Sequence, residues 1–204
     1  MWWLMSFDLL LGFAVYAFVT SITPGPNNTM LLVSGANFGF RPTVPAILGV
    51  NLGFSAMVLA VGLGIGTVFT AFPILHDLLR YGGAAYLAYL AWKIARSGAM
   101  GTESAGSEPF GFVDMAAFQW INPKAWIMAI GAVATYTPQD GFFSNILIVT
   151  LVYMLINAPC IIAWAGVGTM LRGFLGDARF LRVFNIAMAL LLLASLYPAL
   201  VPAA

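Results

Sequence analysis

The chain has 204 residues, 62% apolar and 7% charged, with a net charge of +1 and a mean hydropathy of +0.96. Soluble domains carry about 25% charged residues; eight Lys/Arg, seven Asp/Glu and one His are too few to clothe a water-facing surface, so lipid is the expected solvent for most of the exterior. There is no basic run to bind a phosphate backbone, the single Cys160 excludes an intrachain disulfide and two-thiol exchange, and His76 is the only histidine, so neither a metal nor another cofactor is expected.

The N-terminus, Met1-Trp2-Trp3-Leu4-Met5-Ser6, lacks a basic n-region and a small-residue cleavage site, so the first apolar stretch reads as a retained span. Trp2 and Trp3 suit an interfacial anchor. Apolar segments then run at 7–36, 45–72, 78–95, 112–135, 142–170 and 183–201, and roughly twenty residues suffice for one crossing. The first and fifth exceed that length and are expected to be tilted or broken. The expected fold is therefore an all-α integral membrane protein of six transmembrane helices.

Span one contains Thr23-Pro24-Gly25-Pro26-Asn27-Asn28. Proline removes a backbone hydrogen bond and clashes with the preceding turn, so two prolines around a glycine should unwind the helix there. Freed backbone groups at membrane depth are tolerated only where protein or a water-filled cavity satisfies them. Span two carries Gly49, Gly53, Gly62, Gly64 and Gly66, and span three carries Ala84, Ala88, Ala91 and Ala95. Small residues of this kind let membrane helices approach closely. Between spans three and four, residues 97–108 form a Gly/Ser-rich linker of the flexible type. It divides a single membrane transport domain (1–204) into repeat one (1–96), a linker (97–111) and repeat two (112–204).

Span four contains Gln119-Trp120-Ile121-Asn122-Pro123-Lys124, a second proline break in the matching helix of the second half. Asn122 is a good N-cap with Pro123 at the first helical position, and Gly25 and Pro26 offer the same pair in span one. The break in span one lies about seventeen residues from the start of its segment, deeper than its counterpart. An odd number of spans per half gives the halves opposite topology, the arrangement of two inverted three-helix repeats with broken first helices. Both new N-termini would then aim inward, where unpaired amides and the helix dipole favour an anion such as a carboxylate.

Lys124 is the charged residue well inside a span, at a cost of roughly 2.5–3.5 kcal/mol on translocon scales; it is expected to face the bundle interior and pair there. Asn27, Asn28, Asn51 and Asn157 are further polar groups at that depth, and Pro159 after Asn157 should bend span five beside the same cavity. Asp8 and Asp114 lie near span ends. Arg41, Lys93, Arg96, Arg172, Arg179 and Arg182 follow spans one, three and five, against Arg80 alone on the other side. Under the positive-inside rule both termini then face away from the cytoplasm.

Several of these stretches carry a family resemblance. Thr23-Pro24-Gly25-Pro26-Asn27-Asn28 with Gly39-Phe40-Arg41, Leu48-Gly49 and Gly53, the run from Tyr81 to Lys93, Asn122-Pro123-Lys124, and the weaker Leu181-Arg182-Val183-Phe184-Asn185 together resemble the lysine exporter (LysE/RhtB-type) superfamily of bacterial amino-acid exporters. The Asn-Asn form of the first motif and Ala91-Trp92-Lys93 are similar to its cysteine/O-acetylserine exporter branch. Two departures stand out: Glu108-Pro109-Phe110-Gly111-Phe112 replaces a basic approach to span four, and Ala91 stands where a glycine is common.

The resemblance implies proton-driven export of small amino acids or related metabolites across the bacterial cytoplasmic (inner) membrane. The partners are then an amino-acid substrate, protons and the bilayer, and a homodimer is compatible with this reading. Taken with the polar residues, it places substrate at Pro24, Gly25, Pro26, Asn27, Asn28, Asn51, Asn122, Pro123, Lys124 and Asn157. Proton coupling falls to Lys124, which would release its proton without an anionic substrate and regain it with one, or to Asp8 or Asp114. Rival readings are another small-solute or metal-ion exporter, a passive channel or scaffold subunit, and a membrane enzyme pairing Lys124 with a span serine such as Ser55. Hard cations want charged oxygen ligands, which argues against the metal exporter.

Overall fold

A computed structural model of the chain describes residues 5–65, 74–96, 108–175 and 177–194, excluding the side chains of 75–80 and 178. Trp2 and Trp3, Gly66, most of the linker and the outer ends of the second and sixth expected spans lie outside them. Helix α1, Phe7–Ile22, starts at Ser6, whose hydroxyl accepts from Leu9 N at 3.3 Å, and ends where Thr23 turns extended (φ −63°, ψ 142°), as the residue before a proline must. Helix α2, Pro26–Phe38, restarts with Gly25 as N-cap and Pro26 in its first turn. The two meet at a bend of 52°. Gly39, at φ 86°, joins α2 to α3, Phe40–Ala60, which continues as a π-helical turn, Val61–Ile65.

Helix α4 is Ile74–Ala95, α5 Phe112–Gln119, α6 Pro123–Tyr136, α7 Phe142–Leu171 and α8 Ala178–Ala194. The α5–α6 break is a tighter structure than the first. Trp120, Ile121 and Asn122 each donate three residues back, a 3₁₀-like end, before Asn122 caps α6 by accepting from Lys124 N at 3.1 Å. The unequal depth of the two breaks is plain: α1 has 16 residues and α5 has 8. In span five α7 runs unbroken through Pro159 for 30 residues, so of the two expectations for its extra length, tilt or break, the break is not seen.

Among the described residues two continuous helices are long and apolar enough to cross a membrane, Phe40–Ile65 and Phe142–Leu171, and the bent α1–α2 pair makes a third. The helix α4, the α5–α6 pair and α8 overlap the other three expected segments. Outward positions are apolar, with Leu11, Val15 and Phe18 on α1 and Leu147, Leu151 and Leu155 on α7 exposed. These i, i+4 stripes suit a lipid-facing surface.

Glycines set the closest packing. A Cβ on Gly49 or Gly53 would strike the α5 backbone at Phe112 and Ala116, and one on Gly168 would strike Leu32 O of α2; backbones touch where no side chain intervenes. In α4, Ala91 is buried and Ala84 and Ala95 pack partly, but Ala88 faces outward. The close contact of α4 is instead Gly83, beneath Ile121 O at the second break.

The apolar interior is divided in two. One cluster takes Met30, Leu31 and Val33 of α2, Ala46, Ile47 and Val50 of α3, Met115 and Phe118 of α5, and Ile161 and Ala165 of α7, with parts of α4 and α8. The other takes Phe13 and Ala17 of α1, Phe54, Met57 and Val58 of α3 with Val61 of its π-helical turn, Ala125, Met128, Ala129 and Ala132 of α6, and Val149 and Tyr153 of α7. Each broken pair passes from one cluster to the other at its break, and α3 and α7 pass between them at Asn51 and Asn157. Polar residues therefore form a layer between two apolar bodies.

Candidate functional site

The site is built where the breaks leave backbone unpaired. A helix end exposes carbonyls that need outside partners, and the C-terminal carbonyls of α1 find them on three other helices. Asn28 Nδ2, from α2, donates to Ser21 O at 2.8 Å and Thr23 O at 2.9 Å. Trp164 Nε1, from α7, donates to Ile22 O at 3.0 Å. Lys124 Nζ, from α6, donates to Thr23 O at 2.9 Å, Thr23 Oγ1 at 3.0 Å and Pro24 O at 3.2 Å. Such contacts are what allow a helix to break at membrane depth.

The Lys124 side chain reaches the break in α1–α2 only because residue 25 is glycine. A Cβ there would lie 2.9 Å from Lys124 Cδ and 3.1 Å from Nζ. Lys124 is expected to face the interior and pair there; in the structure its partners come from the other half, three oxygens at the negative end of the α1 dipole.

The two N-termini also differ. The first turn of α6 is capped by Asn122 Oδ1, whereas α2 has no side-chain cap at Gly25. An anion would therefore meet uncapped amides at α2 and a self-capped turn at α6.

Amide pairs tie the polar layer across the chain. Asn27 and Gln119 exchange two bonds, at 2.9 and 3.1 Å, and Asn157 Nδ2 donates to Asn51 Oδ1 at 2.9 Å. A third pair, Asn37 and Asn185, exchanges two bonds at 2.8 and 2.9 Å and binds α2 to α8. Gln119 is wholly buried and also donates to Met115 O. Sequence reasoning quoted Gln119 in its motif without giving it a role, and it missed Trp164; a buried amide four residues before the second proline was the available signal for Gln119.

One cavity gathers these groups. Its polar lining is Thr20, Ser21, Gly25, Asn27, Asn28, Asn122, Lys124 and Asn157, and its apolar lining is Phe54, Ala125, Met128 and Ile161. Phe54, Ala125 and Met128 come from one apolar cluster and Ile161 from the other, so the cavity lies in the polar layer. It encloses about 20 Å³ accessible to the centre of a water molecule, room for a water or two. A solute larger than that fits only if Lys124 or the surrounding helices move.

Of the expected site residues, Gly25, Asn27, Asn28, Asn122, Lys124 and Asn157 line this cavity. Pro24 contributes its carbonyl to Lys124, Pro26 and Pro123 start the half-helices, and Asn51 stands behind Asn157. Asp8 and Asp114 are not among its lining. Both sit exposed in first turns, and Asp114 Oδ2 accepts from Gly111 N at 3.0 Å. Ser55 is hydrogen bonded to Asn51 O at 2.8 Å and is not a partner of Lys124.

The profile of the LysE type translocator family matches residues 18–195. The chain is 35% identical over 187 residues to the cysteine/O-acetylserine efflux proteins of Salmonella typhimurium (strain LT2) and Salmonella choleraesuis (strain SC-B67), covering 90% of this chain and 93% of each relative. It is 32% identical over 190 residues to the protein of that description from Escherichia coli (strain K12), covering 92% and 95%. No solved structure matches. The matched residues take in both proline breaks, the capped carbonyls and the whole cavity, and with them this chain belongs to the LysE type translocator family, a membrane translocator and not an enzyme.

Proposed function

We propose that the chain is a secondary active exporter of small amino acids, of the cysteine and O-acetylserine kind, in the bacterial cytoplasmic membrane, exchanging substrate for protons by alternating access. The observation that carries this is the cavity at the meeting of two broken helices, in a polar layer between two separately packed apolar clusters. A packed apolar body moves as a unit, whereas a polar layer held by exchangeable hydrogen bonds can be rearranged at small net cost, each bond being worth about 0.5–1.5 kcal/mol. The substrate class follows the printed names of the relatives.

The architecture proposed is six spans in two inverted repeats, 1–96 and 112–204 around the linker. In support, α1–α2 and α5–α6 cross between the apolar clusters in opposite order, as do α3 and α7. The six-to-one distribution of basic residues puts both termini on the non-cytoplasmic side.

In this mechanism the substrate carboxylate takes the uncapped N-terminus of α2 and draws the Lys124 ammonium from Thr23 O and Pro24 O. Asn27, Asn28, Asn122 and the Asn51–Asn157 pair orient the amino group and the backbone of the site. As the proton carrier of this exchange, Lys124 is charged on the substrate-free return step and gives its proton to the cytoplasmic side before substrate moves outward. Asp8 and Asp114, exposed in first turns away from the cavity, are the less suited candidates.

Counterflow in proteoliposomes tests the reading. Vesicles loaded with unlabelled L-cysteine should transiently accumulate labelled L-cysteine, and an acidic lumen should drive uptake from a neutral bath. Equilibration without overshoot would make the protein a channel, and indifference to the pH gradient would remove the proton.

A further inference from the structure

The polar side chains that line the cavity are nearly all committed. Thr20 bonds Tyr153 and the Tyr16 carbonyl, Asn27 bonds Gln119, Asn157 bonds Asn51, and Asn122, Asn28 and Lys124 bond backbone. Ser21 is the exception. It is 3% exposed and among the residues lining the cavity; its hydroxyl oxygen has no hydrogen-bond partner among the described residues and is closed to water in this conformation, so the movement that admits a substrate must also uncover it. Buried hydroxyls are overwhelmingly paired, and an orphan in a native fold wants an explanation.

The local backbone keeps the orphan in place. The carbonyl of Ser21 is held by Asn28 Nδ2, so the last turn of α1 is fixed from the α2 side. The apolar lining of the cavity includes Phe54, Met128 and Ile161, which welcome a short side chain but supply nothing to bond a heteroatom on it.

We propose that Ser21 is a specificity-determining residue whose hydroxyl hydrogen-bonds the heteroatom at the γ position of the substrate side chain, the thiol sulfur or the ester oxygen. The inference rests on the exporter reading above and deepens it. Lys124 and the N-terminus of α2 take the carboxylate; Ser21 tells a small polar amino acid from an apolar one of equal size. A site built to bond a substrate group disfavours the analogue that lacks it, since its own buried group is then left unpaired.

The test compares wild type with Ser21→Ala, using L-cysteine and O-acetylserine against 2-aminobutyrate, which carries a methyl group at the γ position. Ligand-dependent thermal shift of the purified protein gives affinities, because ligand bound to the folded state raises apparent stability. Counterflow gives transport. Wild type should prefer the heteroatom substrates. Ser21→Ala should bind them about three- to tenfold more weakly, the fold-change of one net hydrogen bond, and bind 2-aminobutyrate unchanged or better. Without ligand the variant should melt at or above wild type, since it removes an unpaired buried hydroxyl. An unchanged preference in Ser21→Ala overturns the proposal, as does a lower melting temperature without ligand, which would make the hydroxyl a structural one. If wild type itself neither shifts nor counterflows with any of the three, the exporter reading fails, and this proposal with it.

Discussion

Alanine at position 25 isolates the contact that joins the two breaks. The backbone there is extended, with φ 174° and ψ 178°, a conformation alanine adopts without strain. The perturbation is therefore purely steric, a Cβ 2.9 Å from Lys124 Cδ and 3.1 Å from Nζ, where ordinary contact begins at 3.4 Å. The obstacle is a flexible side chain, so the lysine yields and the backbone does not. Retreat by about half an ångström takes the ammonium out of range of Pro24 O, now at 3.2 Å, and only lengthens its bond to Thr23 O, now at 2.9 Å. Thr23 O keeps Asn28, which leaves Pro24 O as the carbonyl without a partner. One charge-assisted bond lost and one carbonyl left to water in the cavity come to about 1–3 kcal/mol.

A double-mutant cycle in thermal denaturation of the purified protein measures this, comparing Gly25→Ala in wild type and in Lys124→Ala. We expect the glycine replacement to destabilise the wild type by that amount and the Lys124→Ala background by less than about 0.5 kcal/mol, so that the difference is the coupling. Equal costs in the two backgrounds would refute the reasoning, because the strain would then lie elsewhere than against Lys124.

Replacing Lys124 itself separates charge from proton. Lys124→Ala should abolish both counterflow and pH-driven uptake of L-cysteine, whereas Lys124→Arg, which keeps its charge and does not release a proton, should retain counterflow and lose the pH-driven component; uphill uptake by Lys124→Ala would sink the mechanism. The Asn37–Asn185 exchange lies outside the cavity lining and should matter for folding alone. Asn37→Leu is expected to cost about 1–3 kcal/mol by stripping two bonds from a buried amide, and Asn37→Leu with Asn185→Leu should recover most of it, with counterflow per folded molecule unchanged in both; a transport defect in the double variant would tie α8 to the cycle.

Much of this arrangement was legible in the chain. The lack of charge demanded lipid, because nothing else could solvate 62% apolar residues. The prolines at 24, 26 and 123 required breaks, since proline has no N–H to continue a helix and restricts the residue before it. Lys124 had to turn inward, as a charge at that depth is costly unless paired. These are local rules, and each needs only the neighbouring few residues.

Pairing was not legible, because it joins residues far apart along the chain. Composition could not say that Lys124 would cap Thr23 and Pro24 across about a hundred residues. Nor could it say that Asn27 would meet Gln119, that Trp164 would take Ile22 O, or that Ser21 would be the hydroxyl left over. Pro159 shows the opposite limit: proline disfavours a continuous helix, and α7 runs through it unbroken, its flanks Asn157 and Ile161 held in the bundle interior. Sequence alone determined where the backbone must break and which groups need partners in the bilayer. Tertiary structure decided the partners, because a donor at membrane depth is satisfied by whichever acceptor the packed helices bring to it.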